Sequence, residues 1–161
     1  MTVKEFNNTV NQYSDNVYRF ILKNLKNESK AQDVVQDSFE KLWINRKAVE
    51  YKKAKSYLFT TAYRTMIDYI RKDKRIYLTD DNKTFEAEHE NNYTGIQEIL
   101  HEAIDKLTEV QKSVILLRDY EGYSYKEIAT ITNLTEPQVK VYIYRARVFL
   151  KTYIGKIENI I

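Results

Sequence analysis

The chain has 161 residues, with 26 basic and 23 acidic side chains, one proline, three glycines and no cysteine. So few turn-forming residues argue against the repeated hairpins of an all-β sandwich or barrel. The lack of thiols excludes a disulfide framework and a cysteine-ligated zinc or iron–sulfur centre. Two isolated histidines, His89 and His101, cannot build a histidine metal site alone, so no metal and no cofactor is expected. No apolar run approaches the roughly 20 residues that span a bilayer, and MTVKEFNNTV lacks the apolar core of a secretion signal. The expectation is a soluble, cytoplasmic, all-α protein with no membrane insertion. Its formal charge of +3 is unevenly spread: +7 over 1–75, −4 over 76–97 and 0 over 98–161.

Taken in chain order, Val10, Tyr13, Val17, Phe20 and Ile21 recur at helical spacing and predict a first amphipathic helix. Asn27 and Ser29 supply stop and cap chemistry. Beyond them Val34, Val35, Ser38, Phe39, Leu42 and Trp43 form a second stripe. A basic loop, Tyr51-Lys52-Lys53-Ala54-Lys55, leads into a third helix from about Lys55 to Lys72, with Leu58, Ala62, Thr65 or Met66, and Tyr69 as inward positions. Residues 76–97 hold five acids, three Asn and one Gly without a helical stripe, and read as an acidic linker. Two small helical domains, 1–75 and 98–161, joined by a flexible tether, are the expected architecture.

The second domain opens with a helix from about Ile96 to Leu107. Three capping boxes follow it: Thr108 with Gln111, Ser124 with Glu127, and Thr135 with Gln138. In each, the hydroxyl can accept from the backbone amide three residues on while that residue's side chain reaches back. Gly122 suits a left-handed helix end. The last two starts flank a turn of three residues, Thr132-Asn133-Leu134, the spacing of a helix-turn-helix. Ala129 belongs at the closest approach of the two helices, and Asn133 tolerates positive φ. Pro137 fits the first helical turn, where its missing N–H has no intrahelical partner. Val139, Ile143, Ala146 and Leu150 form the inner face of the last helix, while Gln138, Lys140, Val141, Tyr144, Arg145 and Lys151 form the outer one. Five basic residues and no acid lie between Gln138 and Lys156. Cations and a carboxamide on such a face suit phosphates and base edges. Solvated charge on an ordinary helical hairpin is the plainer alternative.

Two other surfaces carry chemistry. Asp33, Gln36, Asp37 and Glu40 lie at i, i+3, i+4 and i+7 and share one helical face, suited to a basic protein surface. From Arg46 to Arg75 ten basic residues, among them Lys52, Lys53, Lys55, Arg64, Arg71 and Lys72, stand against three acids, with Tyr51, Tyr57, Tyr63 and Tyr69 interleaved. Cations that track phosphates beside rings that stack bases hold a single strand, at about 1–3 kcal/mol per stacked base. For Tyr57 and Tyr69 core packing is an equal alternative.

The run from Leu107-Thr108-Glu109-Val110-Gln111 through Leu116-Leu117-Arg118-Asp119-Tyr120-Glu121-Gly122-Tyr123-Ser124-Tyr125-Lys126-Glu127-Ile128-Ala129, with Val139-Lys140 and Arg145-Ala146-Arg147 after it, resembles the promoter-reading C-terminal domain of extracytoplasmic-function (ECF) sigma factors, of the sigma-70 family. Asp33-Val34-Val35-Gln36-Asp37-Ser38-Phe39 with Lys41-Leu42-Trp43 is similar to that family's polymerase-binding helix. Tyr57-Leu58-Phe59, Ala62-Tyr63-Arg64 and Ile67 to Lys72 are similar to its −10-reading and strand-opening helix. Pro137 stands where the family usually has glycine, Val141 and Tyr142 where it usually has a polar or basic pair, and Arg64 where many members have asparagine.

The resemblance implies a non-enzymatic sigma factor that binds core RNA polymerase at the clamp helices of the largest subunit. Asp33, Gln36, Asp37 and Glu40 would make that contact. Lys52, Lys53, Lys55, Arg64, Arg71 and Lys72 would serve the −10 element and melting, and the outer face of the last helix the −35 element. Promoter DNA and an anti-sigma factor, often a membrane-bound one, are the other implied partners. The competing reading is a dimeric helix-turn-helix regulator that does not bind core polymerase stably.

Overall fold

The computed structural model describes residues 1–79 and 95–158, all the regular structure there being helical. The N-terminal block is three helices: α1 (Val3–Leu25), α2 (Glu28–Ile44) and α3 (Ala54–Thr79), the last entered through a single 3₁₀ turn, Tyr51–Lys53. The C-terminal block has α4 (Ile96–Asp105), α5 (Glu109–Ile115), α6 (Tyr125–Thr132) and α7 (Glu136–Glu158). Helix α3 thus runs four residues past the expected domain end, and α4 begins two residues before the next. The acids between Asp80 and Glu90, and His89, lie outside the described residues.

Local chemistry sets most helix ends. Thr2 and Glu5 form a capping box ahead of α1, and Lys26 stops that helix in the left-handed region at φ 57°. A lysine there carries backbone strain that glycine would not. Asn27 caps α2 by accepting from the Lys30 amide at 2.9 Å. All three capping boxes expected in the C-terminal block are formed. After α5 the chain widens into one π-type turn, Leu116–Tyr120, and Gly122 at φ 75° then turns it toward α6. No atom lies within 4 Å of where a Gly122 side chain would begin, so the backbone angle, and not lack of space, is what calls for glycine.

Val17, Phe20 and Ile21 of α1, Val34 and Leu42 of α2, and Leu58, Ala62 and Met66 of α3 meet in the N-terminal core. Thr65 is buried beside Met66, where its hydroxyl donates to the Thr61 carbonyl and accepts from Lys41. Several expected core positions are less than fully buried, among them Tyr13, Val35, Phe39 and Tyr69. Thr9 is buried where Val10 is only half so, because its hydroxyl donates to the Glu5 carbonyl and needs no water. Trp43 lies 39% exposed, edge-on to Phe6 and beneath the Arg46 guanidinium.

The two blocks pack against each other. Phe59 and Tyr63, one turn apart on α3, leave the stripe that faces α1 and α2 and are buried on its other flank, against the C-terminal block. Phe59 lies 6.0 Å from Phe20 and 5.1 Å, edge-on, from Tyr123, so one apolar cluster runs through both blocks.

Candidate nucleic-acid and polymerase interfaces

The second capped pair forms a helix-turn-helix. Asn133 adopts φ 57°, and its amide and that of Leu134 both donate to the Ala129 carbonyl, which ends α6 in one residue. Helix α7 then crosses with Val139, Ile143 and Ala146 buried and Leu150 partly so. Its outer face presents Gln138, Lys140, Val141, Tyr144, Arg145 and Lys151, all exposed, with Tyr144 at 70%. Arg145 and Lys151 make no ion pair among the described residues. Lys140 reaches over the Tyr125 ring at 5.6 Å. Gln138 is partly committed, since its side-chain oxygen accepts from the Thr135 amide at 2.9 Å. What it keeps to offer a partner is its NH₂ donor. Arg147, one of the five cations of this stretch, is paired with Asp119 at 2.7 Å. The apolar exposure continues outward through Val148 and Phe149, which the basic pattern of the helix does not signal.

On α2, Asp33, Gln36 and Glu40 are exposed and Asp37 is half-buried, on one side of a helix whose other side is anchored by Ala31, Val34 and Leu42. The Tyr69 hydroxyl of α3 donates to Asp37 at 3.5 Å. Partial burial, then the Asp37 and Asp33 charges, raise the Tyr69 phenol above its ordinary range. Tyr69 is therefore a neutral donor that ties α3 to this acidic face.

The cations of the basic segment divide. Lys52 and Lys53 are exposed at the 3₁₀ turn, Lys52 near Glu50 at 3.8 Å. Arg64, Arg71 and Lys72 are exposed along α3. Lys55 is half-buried, with its ammonium 4.5 Å from the centre of the Tyr123 ring and 5.9 Å from that of Tyr13. Of the interleaved tyrosines, Tyr51 is exposed, Tyr57 and Tyr69 are half-buried, and Tyr63 is buried. Burial raises the Tyr63 phenol.

Between the blocks runs a charged seam that the block-by-block sequence reading did not contain. Arg19 makes a two-pronged pair with Glu121, at 3.1 and 2.9 Å, and the Glu121 side chain is only 4% exposed. Lys23 stands 3.7 Å over the Tyr120 ring, and Lys26 pairs with Asp105. Burial, and then the Arg19 charge, lower the Lys23 ammonium. Lys112 is buried, donating to the Asn24 carbonyl at the end of α1 and to Asp105, both at 3.2 Å. Desolvation lowers its ammonium against the opposing pull of Asp105. The signal available in the sequence was Arg19, Lys23 and Lys26 at i, i+4 and i+7, one basic stripe on α1. A cleft of about 740 Å³ opens along this seam, floored by Leu22, Ile104 and Leu116.

A helical scaffold that ends in a helix-turn-helix is the architecture of a DNA-binding protein. Family profiles place it further: "Sigma-70 region 2" matches residues 9–76 and "Sigma-70, region 4" matches 97–150. The chain is 31% identical to the RNA polymerase sigma factor SigV of Bacillus subtilis, over 91% of this chain and 89% of that one. It is 30% identical to the ECF RNA polymerase sigma factor SigM of the same organism, over 99% of both. Among solved structures, the sigma factor RpoE of Bartonella quintana, in complex with the anti-sigma factor NepR, superposes with a TM-score of 0.81 at 25% identity, covering 95% of this chain and 98% of that one. The chain belongs to the ECF group of the sigma-70 family. Its role is accordingly that of a sigma factor in promoter-directed transcription, a family of non-enzymatic initiation factors. Among the described residues no helix is long and apolar enough to cross a membrane.

Proposed function

We propose that this chain binds core RNA polymerase through the acidic face of α2, reads a −35 element with the outer face of α7, and captures the opened −10 strand along α3. The observation that carries this reading is the outer face of α7: all six of its side chains, Gln138, Lys140, Val141, Tyr144, Arg145 and Lys151, point away from the core on the second helix of a helix-turn-helix. That geometry suits insertion into a major groove. There Lys140 and Arg145 can meet phosphate or guanine, the Gln138 NH₂ can donate, and Val141 and Tyr144 can contact thymine methyls.

Asp33, Gln36, Asp37 and Glu40 suit a basic partner surface, here the clamp helices of the largest polymerase subunit. The exposed cations Lys52, Lys53, Arg64, Arg71 and Lys72 neutralise a separated strand, while Lys55 joins them when its contact with Tyr123 is released. Exposed Tyr51 and half-buried Tyr57 supply rings on which an unpaired base can stack. A duplex offers no such stacking, so binding to the separated strand offsets unpairing, and no nucleotide hydrolysis is needed. The likeness over 95% of the chain to a sigma factor solved with its anti-sigma partner supports an anti-sigma protein as a regulatory partner here.

The test is run-off transcription with core polymerase on a randomised promoter library. The expected result is a set of start sites sharing two elements at fixed separation. Transcripts without any shared element would overturn the assignment of α3 and α7.

A further inference from the structure

Tyr125 is not one of the six residues on the outer face of α7, but it stands beside one of them. Ser124 caps α6, so Tyr125 is the first residue of that helix and its side chain leans back toward the preceding turn. Cations gather round its half-buried ring. The Arg118 guanidinium lies 4.4 Å from the ring centre and also donates to the Tyr123 carbonyl at 2.9 Å, so one residue of the π-type turn holds the step into α6. Arg147 is paired with Asp119 at 2.7 Å, and that carboxylate, followed by the neighbouring Tyr125, raises its guanidinium above the ordinary range. Lys140, from the start of α7, stands 5.6 Å from the same ring centre.

These cations differ in what else they touch. Arg118 and Arg147 each have an oxygen acceptor within the C-terminal block, so they fix the ring. Lys140 is exposed and has neither an ion pair nor a hydrogen bond among the described residues. Its ammonium is inside the range of about 6 Å over which an electron-rich ring face attracts a cation, yet too far out to press against the ring. That attraction uses no N–H, so all its donors stay open to a partner. A free lysine loses rotamer freedom when DNA fixes it, whereas one already drawn to a fixed ring loses less.

We propose that Tyr125 is a positioning residue for duplex recognition, its ring holding Lys140 where α7 presents it to the groove. The proposal rests on the groove-reading role of α7 and adds what orders that face before DNA arrives. The working part is the electron-rich ring face, not the hydroxyl and not bulk. The fold of α6 does not depend on it, since the capping box of Ser124 with Glu127 and the buried Ile128 and Ile131 hold that helix.

The experiment uses the full chain and fluorescence anisotropy with a labelled duplex carrying the upstream element shared by the run-off start sites. Tyr125→Phe keeps the ring face and should bind within about twofold of the unaltered chain, whereas Tyr125→Leu should bind about fourfold more weakly. Pentafluorophenylalanine at position 125 keeps the shape of phenylalanine and removes the negative ring face, and should show the same fourfold loss. The two phenylalanines share one shape, so their comparison stands apart from any packing change that leucine introduces. Lys140→Ala alone should weaken binding about tenfold, and in that background all three replacements of Tyr125 should bind alike, within about twofold. Circular dichroism and co-elution with core polymerase report that each variant is folded.

Equal binding by phenylalanine and its pentafluoro form would overturn the proposal, because the ring would then act by bulk alone. So would a loss in Tyr125→Leu that persists undiminished beside Lys140→Ala, because Tyr125 would not be acting through that lysine. A folded Lys140→Ala chain that binds the duplex as well as the unaltered one would instead remove Lys140 from the reading of α7, and this proposal with it.

Discussion

The two surfaces assigned to DNA differ in what the rest of the chain does to them. The outer face of α7 is free: its side chains are exposed, and its one firm internal commitment is the Gln138 cap. The side of α3 proposed to face the strand is shared, because the same helix buries Leu58 and Met66 on one flank, Phe59 and Tyr63 on another, and lends Lys55 to the seam. A helix at the edge of a fold can be read by a partner in any arrangement of the domains. A helix packed from two sides can be read fully only in some arrangements. Duplex recognition by this chain should therefore be indifferent to domain packing, and strand capture sensitive to it.

The largest effect is expected where neither DNA surface is touched. Asp33→Arg with Asp37→Arg reverses the acidic face of α2 and should weaken association with core polymerase by about 100-fold or more, the fold being retained, as titration with labelled core would show. Normal association would remove that face from the mechanism. Lys140→Ala with Arg145→Ala should cost about 2–4 kcal/mol in binding a duplex that carries the upstream element, measured by anisotropy, and leave polymerase binding intact. That loss should be the same whether the seam is closed or opened by Arg19→Glu, so a loss that depends on the seam would break the comparison between the two surfaces.

Arg71→Ala with Lys72→Ala should lower single-strand affinity and reduce the slope of log affinity against log salt by about 1.4, with duplex binding unchanged. Gly122→Ala should cost about 1 kcal/mol in thermal stability, since the penalty is the φ of 75° and not a clash. The smallest effect is expected from Lys112→Met. Its ammonium is buried at a desolvation cost and Asp105 keeps Lys26 as a partner, so the free energy of unfolding, read from thermal melts, should change by no more than about 1 kcal/mol.

Much of this arrangement was legible because it is local. A capping box needs only a hydroxyl and a carboxylate or carboxamide three residues apart, and Thr108, Ser124 and Thr135 each form one. Asn133 and Gly122 have the positive φ that their residue types suit. The buried face of α7 follows from the 3.6-residue period. What periodicity could not show was the seam, since a stripe marks one buried face per helix and α3 has two. Phe59 and Tyr63 lie beside the main stripe, and only a partner from the far end of the chain explains their burial. Lys26 escaped for a related reason: nothing in its type announces a left-handed stop, and its partner Asp105 is 79 residues away. Trp43 closes the second stripe in sequence, but its ring lies at the edge of the core, held by Phe6 and Arg46.

The central claim is that this chain works as the promoter-selecting subunit of RNA polymerase. Size-exclusion chromatography of the purified protein with core polymerase tests it most directly. The expected result is one-to-one co-elution that Asp33→Arg with Asp37→Arg abolishes. Separate elution of the unaltered chain and the core enzyme, at concentrations where an ECF relative co-elutes, would contradict it.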